Sequence, residues 1–261
     1  MILDDIALAT RKRVEREKEA LPLNAIIEAA AALPEKDAGA FENALRSKPV
    51  SFICELKKAS PSKGVIAREF PYMKIAGEYE AAGAAALSVL TEPDFFLGSL
   101  DYLRDITGKI SLPALRKDFI IDEYQIYQSR LYGAEAVLLI CSLLDAKKIA
   151  AFIERAARLG LDALVEAHDA DEVKTALDSG ARIIGVNNRN LKNFQVDINL
   201  SLELRPLVPP DLIFAAESGI QNARDIKALY DANVNAALIG EALMRARDKA
   251  AFIRELRSLL P

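Results

Sequence analysis

The chain predicts an α/β architecture, a (β/α)8 TIM barrel that follows an N-terminal helical extension. Three observations carry this expectation. From Val50 onward, eight short apolar runs alternate with amphipathic stretches. Their starts lie roughly 20 to 35 residues apart, the length of a strand plus a crossover helix. Second, several amphipathic stretches close on a small turn: Ala82-Gly83-Ala84, Tyr132-Gly133-Ala134, Leu159-Gly160-Leu161 and Ser179-Gly180-Ala181. Glycine there fits the left-handed position that ends a helix. Third, no Gly-x-Gly-x-x-Gly turn follows the first strand, as an open doubly wound sheet would favour. A length of 261 residues suits a single barrel.

The extension covers residues 1–45 and the barrel residues 46–261, in one structural domain. Asp4 to Glu19 reads as a helix whose thin apolar side is Ile6, Leu8, Ala9 and Val14, with the charge run Arg11 to Lys18 as a solvated face. Leu23 to Leu33, between Pro22 and Pro34, reads as a second helix. The strands are expected at Val50–Leu56, Ala85–Leu90, Leu112–Leu115, Ala136–Ile140, Ala163–Glu166, Arg182–Val186, Leu212–Ala216 and Ala236–Ile239. Helices are expected at Tyr72–Ala82, Ala146–Leu159, Ala170–Ser179 and Asn222–Ala232.

A net charge of −4, from 34 basic and 38 acidic residues, argues against a nucleic-acid or membrane-surface binder. It leaves room for a local basic pocket that takes a small anion. Cys54 and Cys141 form no Cys-x-x-Cys pair and sit in apolar runs, so both read as reduced core residues of a cytoplasmic protein. Met1 to Arg16 has no apolar stretch of signal-peptide type, and no run of about 18 apolar residues is present to span a membrane. A monomer satisfies all of these features.

In a barrel the chemistry sits at the C-terminal ends of the strands, and residues alternate between interior and helix layer. On the first strand, Phe52, Cys54 and Leu56 suit the helix layer, which turns Ile53, Glu55 and Lys57 inward. Lys117 shares a face with Pro113 and Leu115. The fifth strand ends in Glu166, the sixth runs into Asn187 and Arg189, and the seventh ends in Glu217-Ser218. Unpaired buried charge is costly, so polar ends on five strands point to a site. Ser218-Gly219 and Gly240-Glu241 each put a glycine at a strand-to-helix turn after strands seven and eight. That is the common phosphate position of this fold, and the Glu241 side chain must turn away from it.

The segments Cys54-Glu55-Leu56-Lys57-Lys58-Ala59-Ser60-Pro61-Ser62-Lys63-Gly64, Leu87-Ser88-Val89-Leu90-Thr91-Glu92, Leu115-Arg116-Lys117-Asp118-Phe119-Ile120, Gly185-Val186-Asn187-Asn188-Arg189-Asn190-Leu191, Glu217-Ser218-Gly219-Ile220 and Leu238-Ile239-Gly240-Glu241-Ala242-Leu243-Met244 occur in this order. Together they resemble the indole-3-glycerol phosphate synthase family. The resemblance implies a carbon–carbon lyase of tryptophan biosynthesis. It would convert 1-(2-carboxyphenylamino)-1-deoxyribulose 5-phosphate to indole-3-glycerol phosphate by ring closure, decarboxylation and dehydration. It further implies Lys117 as proton donor at the ketone, Lys57 and Glu166 as acid and base of dehydration, and Glu55 as a group that orients a lysine and binds a sugar hydroxyl. Asn187 and Ser218 join that catalytic set. Arg189, Glu217 and Phe96 would bind substrate, Phe96 along the aromatic pocket. Ser60, Gly219, Gly240 and the Glu241 backbone would bind phosphate, with Ser218 beside them. The implied partner is a phosphorylated small molecule, with no metal and no organic cofactor.

His168, the one histidine, reads either as a solvent-exposed loop residue or as a catalytic helper. One histidine and two separated cysteines do not build a zinc site. Two other functions compete. A phosphosugar isomerase on the same barrel would want Asp with Asp or Cys at the strand ends, where this chain has lysines and glutamates. A silent metabolite-binding barrel would have lost Lys117 or Glu166.

Overall fold

The structure, a computed structural model, describes residues 2–190 and 193–261. Met1 and Leu191, which belong to segments quoted above, lie outside the described residues. Eight parallel strands close into a barrel in chain order: β1 (Ser51–Leu56), β2 (Ala86–Leu90), β3 (Ala114–Lys117), β4 (Ala136–Ile140), β5 (Asp162–Ala167), β6 (Ile183–Asn187), β7 (Ile213–Glu217) and β8 (Ala236–Ile239). β1 pairs with both β2 and β8, so the barrel has no open edge.

Side-chain alternation places the core in two shells. Phe52, Cys54 and Leu56 pack outward under the helices. Ile53 packs inside the barrel with Leu115, Leu164, Ile183 and Ile213. The third strand is a correction: it runs two residues later than the apolar run Leu112–Leu115. Pro113 brings no N–H to a ladder, while Arg116 finds buried partners and extends the strand to Lys117.

The helices follow the amphipathic runs: α1 (Ile2–Ala20), α2 (Leu23–Ala31), α3 (Ala40–Leu45), α4 (Tyr72–Ala81), α5 (Leu100–Thr107), α6 (Glu123–Leu131), α7 (Ala146–Arg158), α8 (Ala170–Asp178), α9 (Asn199–Leu204), α10 (Ala223–Asp231), α11 (Glu241–Arg245) and α12 (Lys249–Arg257). Gly160 adopts φ +71°, and a side chain there would press on the Lys36 carbonyl at 2.2 Å. Only glycine meets both demands. Among the described residues no helix is long and apolar enough to cross a membrane.

The first helices serve opposite ends of the barrel. Phe41 and Leu45 of α3 enter the interior cluster at the N-terminal ends of the strands. Asp162, first residue of β5, accepts hydrogen bonds from the Phe41 and Glu42 amides at 2.9 and 3.0 Å. At the other end, Ile2, Leu3 and Ile6 of α1 line the barrel mouth. Of the Arg11–Lys18 run, Arg11, Lys12, Glu15 and Arg16 are exposed as expected of a solvated face, and Arg13 departs from it. Arg13 is buried, and its guanidinium donates to Asp118 Oδ1 at 2.7 Å beside the end of β3. Leu8, expected on the apolar side, is exposed because that side is taken by Ile6, Thr10, Arg13 and Val14.

Because α3 plugs the end remote from the mouth, Phe41→Ala is expected to cost about 3–5 kcal/mol of stability. It should leave kcat of the folded protein near wild type. Urea unfolding beside steady-state kinetics tests this; a selective loss of kcat at full stability would contradict it.

Candidate active site

Lys117 ends β3 with its side chain turned into the barrel, 13% exposed. Its ammonium donates to Glu166 Oε2 at 2.7 Å and to Glu217 Oε2 at 3.0 Å. β5 and β7 supply these two carboxylates, and both are almost fully buried. Burial alone would lower the pKa of Lys117, but Glu166, Glu217 and Glu55 outweigh it and hold the ammonium charged. The two carboxylates diverge. Burial works against the charge of Glu166, yet Lys117 and His168 more than compensate and keep it ionised. For Glu217, burial dominates, Glu166 and Glu55 add repulsion, and its pKa rises well above the carboxylate range. Its Oε1 is buried without a hydrogen-bond partner.

A second pair stands across the mouth. Lys57, just past β1, forms an ion pair with Glu55, and Ser88 Oγ of β2 donates to Glu55 Oε1 at 3.4 Å. Asn187, at the end of β6, donates through Nδ2 to Glu166 Oε1 at 3.4 Å, while its Oδ1 accepts the Arg189 amide at 3.0 Å. The Arg189 guanidinium reaches the Phe194 carbonyl at 3.4 Å. Phe96 and Phe119 lie with ring centroids 5.9 Å apart. The Glu92 carboxylate accepts the amides of Asp94, Phe95 and Phe96 and so fixes that loop. These groups line a cavity in the mouth, with apolar wall supplied by Ile66, Leu90, Leu138 and Ile140.

The other side of the mouth is polar. Ser218 and Gly219 take left-handed φ values of +68° and +86° in succession. Asn188 donates through Nδ2 to the Ser218 carbonyl at 3.1 Å and holds this turn to β6. Ser60 lies in a short hairpin, Ala59–Ser60 with Gly64–Val65, and Lys63 from that hairpin reaches Glu241 at 3.5 Å. The Glu241 carboxylate is turned to Lys63 and Arg245, which leaves its backbone at the opening. Gly240 has an ordinary φ of −115°. Its necessity is steric, since a Cβ would lie 2.2 Å from Glu55 Oε2.

Every sequence-expected site residue therefore faces this one mouth. His168 is a correction: it is not a solvent-exposed loop residue, because Glu166 and Glu172 hold its ring against the barrel end with 16% of the side chain exposed. Sequence reasoning passed over Ser88, Asn188 and Gly185. A side chain at Gly185 would lie 2.2 Å from Glu217 Oε1, so this glycine makes room for the carboxylate inside the barrel. A glycine within a strand pattern is the available signal. The buried Arg13–Asp118–Arg116 cluster, with Thr91 donating to Asp118 at 2.7 Å, was likewise unforeseen.

Two ammonium–carboxylate groups at the strand ends, beside an apolar cavity and a polar turn, define an acid–base barrel enzyme for a small molecule. The indole-3-glycerol phosphate synthase family model matches residues 3–256, and the chain belongs to that family, carbon–carbon lyases of tryptophan biosynthesis. The chain is 54% identical over 257 residues to the indole-3-glycerol phosphate synthase of Ruminiclostridium cellulolyticum, covering 98% of this chain and 99% of that one. It is 52% identical to that of Endomicrobium trichonymphae, covering 98% and 100%. Among solved structures, a 3-hexulose-6-phosphate synthase superposes with TM-score 0.63 at 17% identity, over 80% of this chain and 99% of that one. That last likeness shows the barrel alone.

The raised pKa of Glu217 has a stability consequence. A carboxyl whose folded pKa exceeds its unfolded value adds stability below the ordinary carboxylate range, and this is lost as pH rises through the folded value. Glu217→Gln cannot ionise. It is expected to be more stable than wild type at about pH 8 and to lose most of that advantage by about pH 5. Urea midpoints at the two pH values decide it; a pH-independent difference would refute the assignment.

Proposed function

We propose that the chain closes the indole ring of 1-(2-carboxyphenylamino)-1-deoxyribulose 5-phosphate, with Lys117 as the proton donor at the ketone. The observation that carries this reading is the Lys117 ammonium, held charged between Glu166 and Glu217 on the cavity floor. As the aromatic carbon bonds to the ketone carbon, the carbonyl electron pair moves to oxygen. A fixed ammonium in a dry site both stabilises that oxyanion and protonates it. Carbon dioxide then departs, and the electrons of its bond restore the aromatic ring. Lys57 protonates the departing hydroxyl as water, and Glu166 removes the proton the new ring must lose. Glu166 fits a base because its environment keeps it ionised. Glu55 holds Lys57 and a sugar hydroxyl, and Asn187, Arg189 and Glu217 hold the remaining polar groups of the substrate. Phe96 and the apolar wall take the aromatic ring. No metal or organic cofactor enters these steps.

The phosphate is assigned to the amides of Ser218, Gly219, Gly240 and Glu241, with Ser60 beside them. Successive left-handed residues turn backbone N–H groups to one side, a form suited to an anion. The site is complete within one chain, so a monomer suffices. The fully buried Cys54, its thiol pushed up to about 12 by burial, needs no oxidising compartment and suits the cytoplasm.

Lys117→Ala is expected to lower kcat by about 10² to 10⁴, followed by indole fluorescence with EDTA present throughout. Affinity for inorganic phosphate should persist. Lys117→Arg should restore little, since a guanidinium is a poor proton donor with a different shape. A near-normal kcat in Lys117→Ala moves the donor role to Lys57.

Gly219→Ala tests the phosphate end. Its added carbon would sit 2.7 Å from Val196 Cγ1 at a left-handed φ, so the turn must shift. KM is expected to rise about tenfold or more with kcat nearly unchanged, the mark of lost uniform binding. A fall in kcat alone would place the phosphate elsewhere.

A further inference from the structure

His168 follows Glu166 by two residues, where the chain leaves β5 for α8, and it is the sole histidine. Glu172 Oε2, on α8, lies 3.0 Å from the ring Nδ1 and also accepts the His168 backbone N–H at 2.8 Å. On the other side of the ring, Nε2 is buried and lies at ion-pair distance, 3.4 Å, from Glu166 Oε1, with no hydrogen bond among the described residues. A carboxylate against Nδ1 assigns a proton to that nitrogen. In a neutral ring the Nε2 lone pair would then face a second carboxylate, an arrangement that repels. Only the imidazolium, with a proton on each nitrogen, satisfies both neighbours.

We propose that His168 is a positioning residue for Glu166: clamped by Glu172, its imidazolium fixes the Glu166 carboxylate through Oε1, the oxygen that Lys117 does not hold. The inference rests on the reading of Glu166 as the base. The groups that face the ring support a charged state. Glu166 comes from β5, Glu172 from α8 and Glu217 from β7. Cys141, past β4, packs alongside with its thiol against the Glu172 carbonyl at 3.5 Å. Lys117 lies across Glu166, on its other oxygen. Burial opposes the charge on His168, and the carboxylates Glu172, Glu166 and Glu217 outweigh it, so the ring is a weaker acid than a free histidine. The kinetic consequence has a definite sign. A cation beside Glu166 lets it stay ionised to lower pH. Without that cation its pKa rises, and the acid limb of the kcat profile moves upward.

The test uses the purified full chain. A pH titration of the single imidazole by proton–nitrogen NMR requires no assignment. In wild type the ring is expected to carry both protons at pH values above ~6.5, its ordinary midpoint, and to lose this elevation in Glu172→Gln. A ring that is neutral at that pH in folded wild type overturns the proposal without any variant. In kinetics, His168→Gln should lower kcat about tenfold and shift its acid limb to higher pH, with KM within about twofold because the ring is remote from the phosphate end. A limb that stays in place in His168→Gln, while Glu166→Gln is inactive, overturns the positioning role alone. An active Glu166→Gln overturns the reading of Glu166 as base, and with it this inference.

Discussion

An ammonium group stands inside a barrel, above an interior layer of Ile53, Leu115, Leu164, Ile183 and Ile213. Lys117 is tolerable there because two carboxylates converge on it from β5 and β7. The carboxylates are tolerable because the ammonium is shared between them. Removing Lys117 would leave the buried charge of Glu166 without its main partner, which costs far more than an exposed ion pair is worth. Other features follow from this cluster. Gly185 lacks a side chain so that Glu217 fits. Asn187 and His168 take up the far oxygen of Glu166. The uneven share of proton affinity between Glu166 and Glu217 keeps one of them ionised and raises the pKa of the other, from two residues of one type.

The mouth divides the labour of binding by polarity. Apolar side chains and two phenylalanine rings wall one side, and backbone turns after β7 and β8 form the other. The reacting centre of a substrate with an aromatic head and a phosphate tail would thus fall over Lys117. Orientation of this kind converts binding into rate, because the reacting atoms need no further search. The helix α1 completes the apolar side, and Arg13 anchors it through Asp118, the residue next to Lys117. The roof of the cavity and its floor are therefore tied at neighbouring residues, Lys117 at the end of β3 and Asp118 just past it.

Much of this was legible in the residue pattern. Period-two alternation in β1, taken with the barrel rule, separated Glu55 and Lys57 from Cys54 and Leu56. The glycine turns marked where helices stop. The features that escaped have a common physical cause, in that they depend on partners distant in the chain. Arg13 looks like surface until Asp118 is beside it. Phe41 and Leu45 form too short a run to announce a helix, and their burial depends on a barrel end built from other strands. His168 reads as a loop residue because nothing in Glu166-Ala167-His168 shows that Glu172 turns back to it. The shift of β3 arose where hydrophobicity and hydrogen bonding disagree, since Pro113 is apolar and Arg116 is the residue that the strand buries.

The contacts of the N-terminal helices also set an order of events. Arg13 and Asp118 are 105 residues apart in the chain, and Phe41 is 121 residues from Asp162. The N-terminal helices thus find these partners only after more than 100 further residues have been made. Until then Phe41 and Leu45 have no barrel to enter, and the loops that must close around them are long. The same residues that seal the finished barrel are, during synthesis, an exposed apolar stretch waiting for its socket, the kind of surface that chaperones bind.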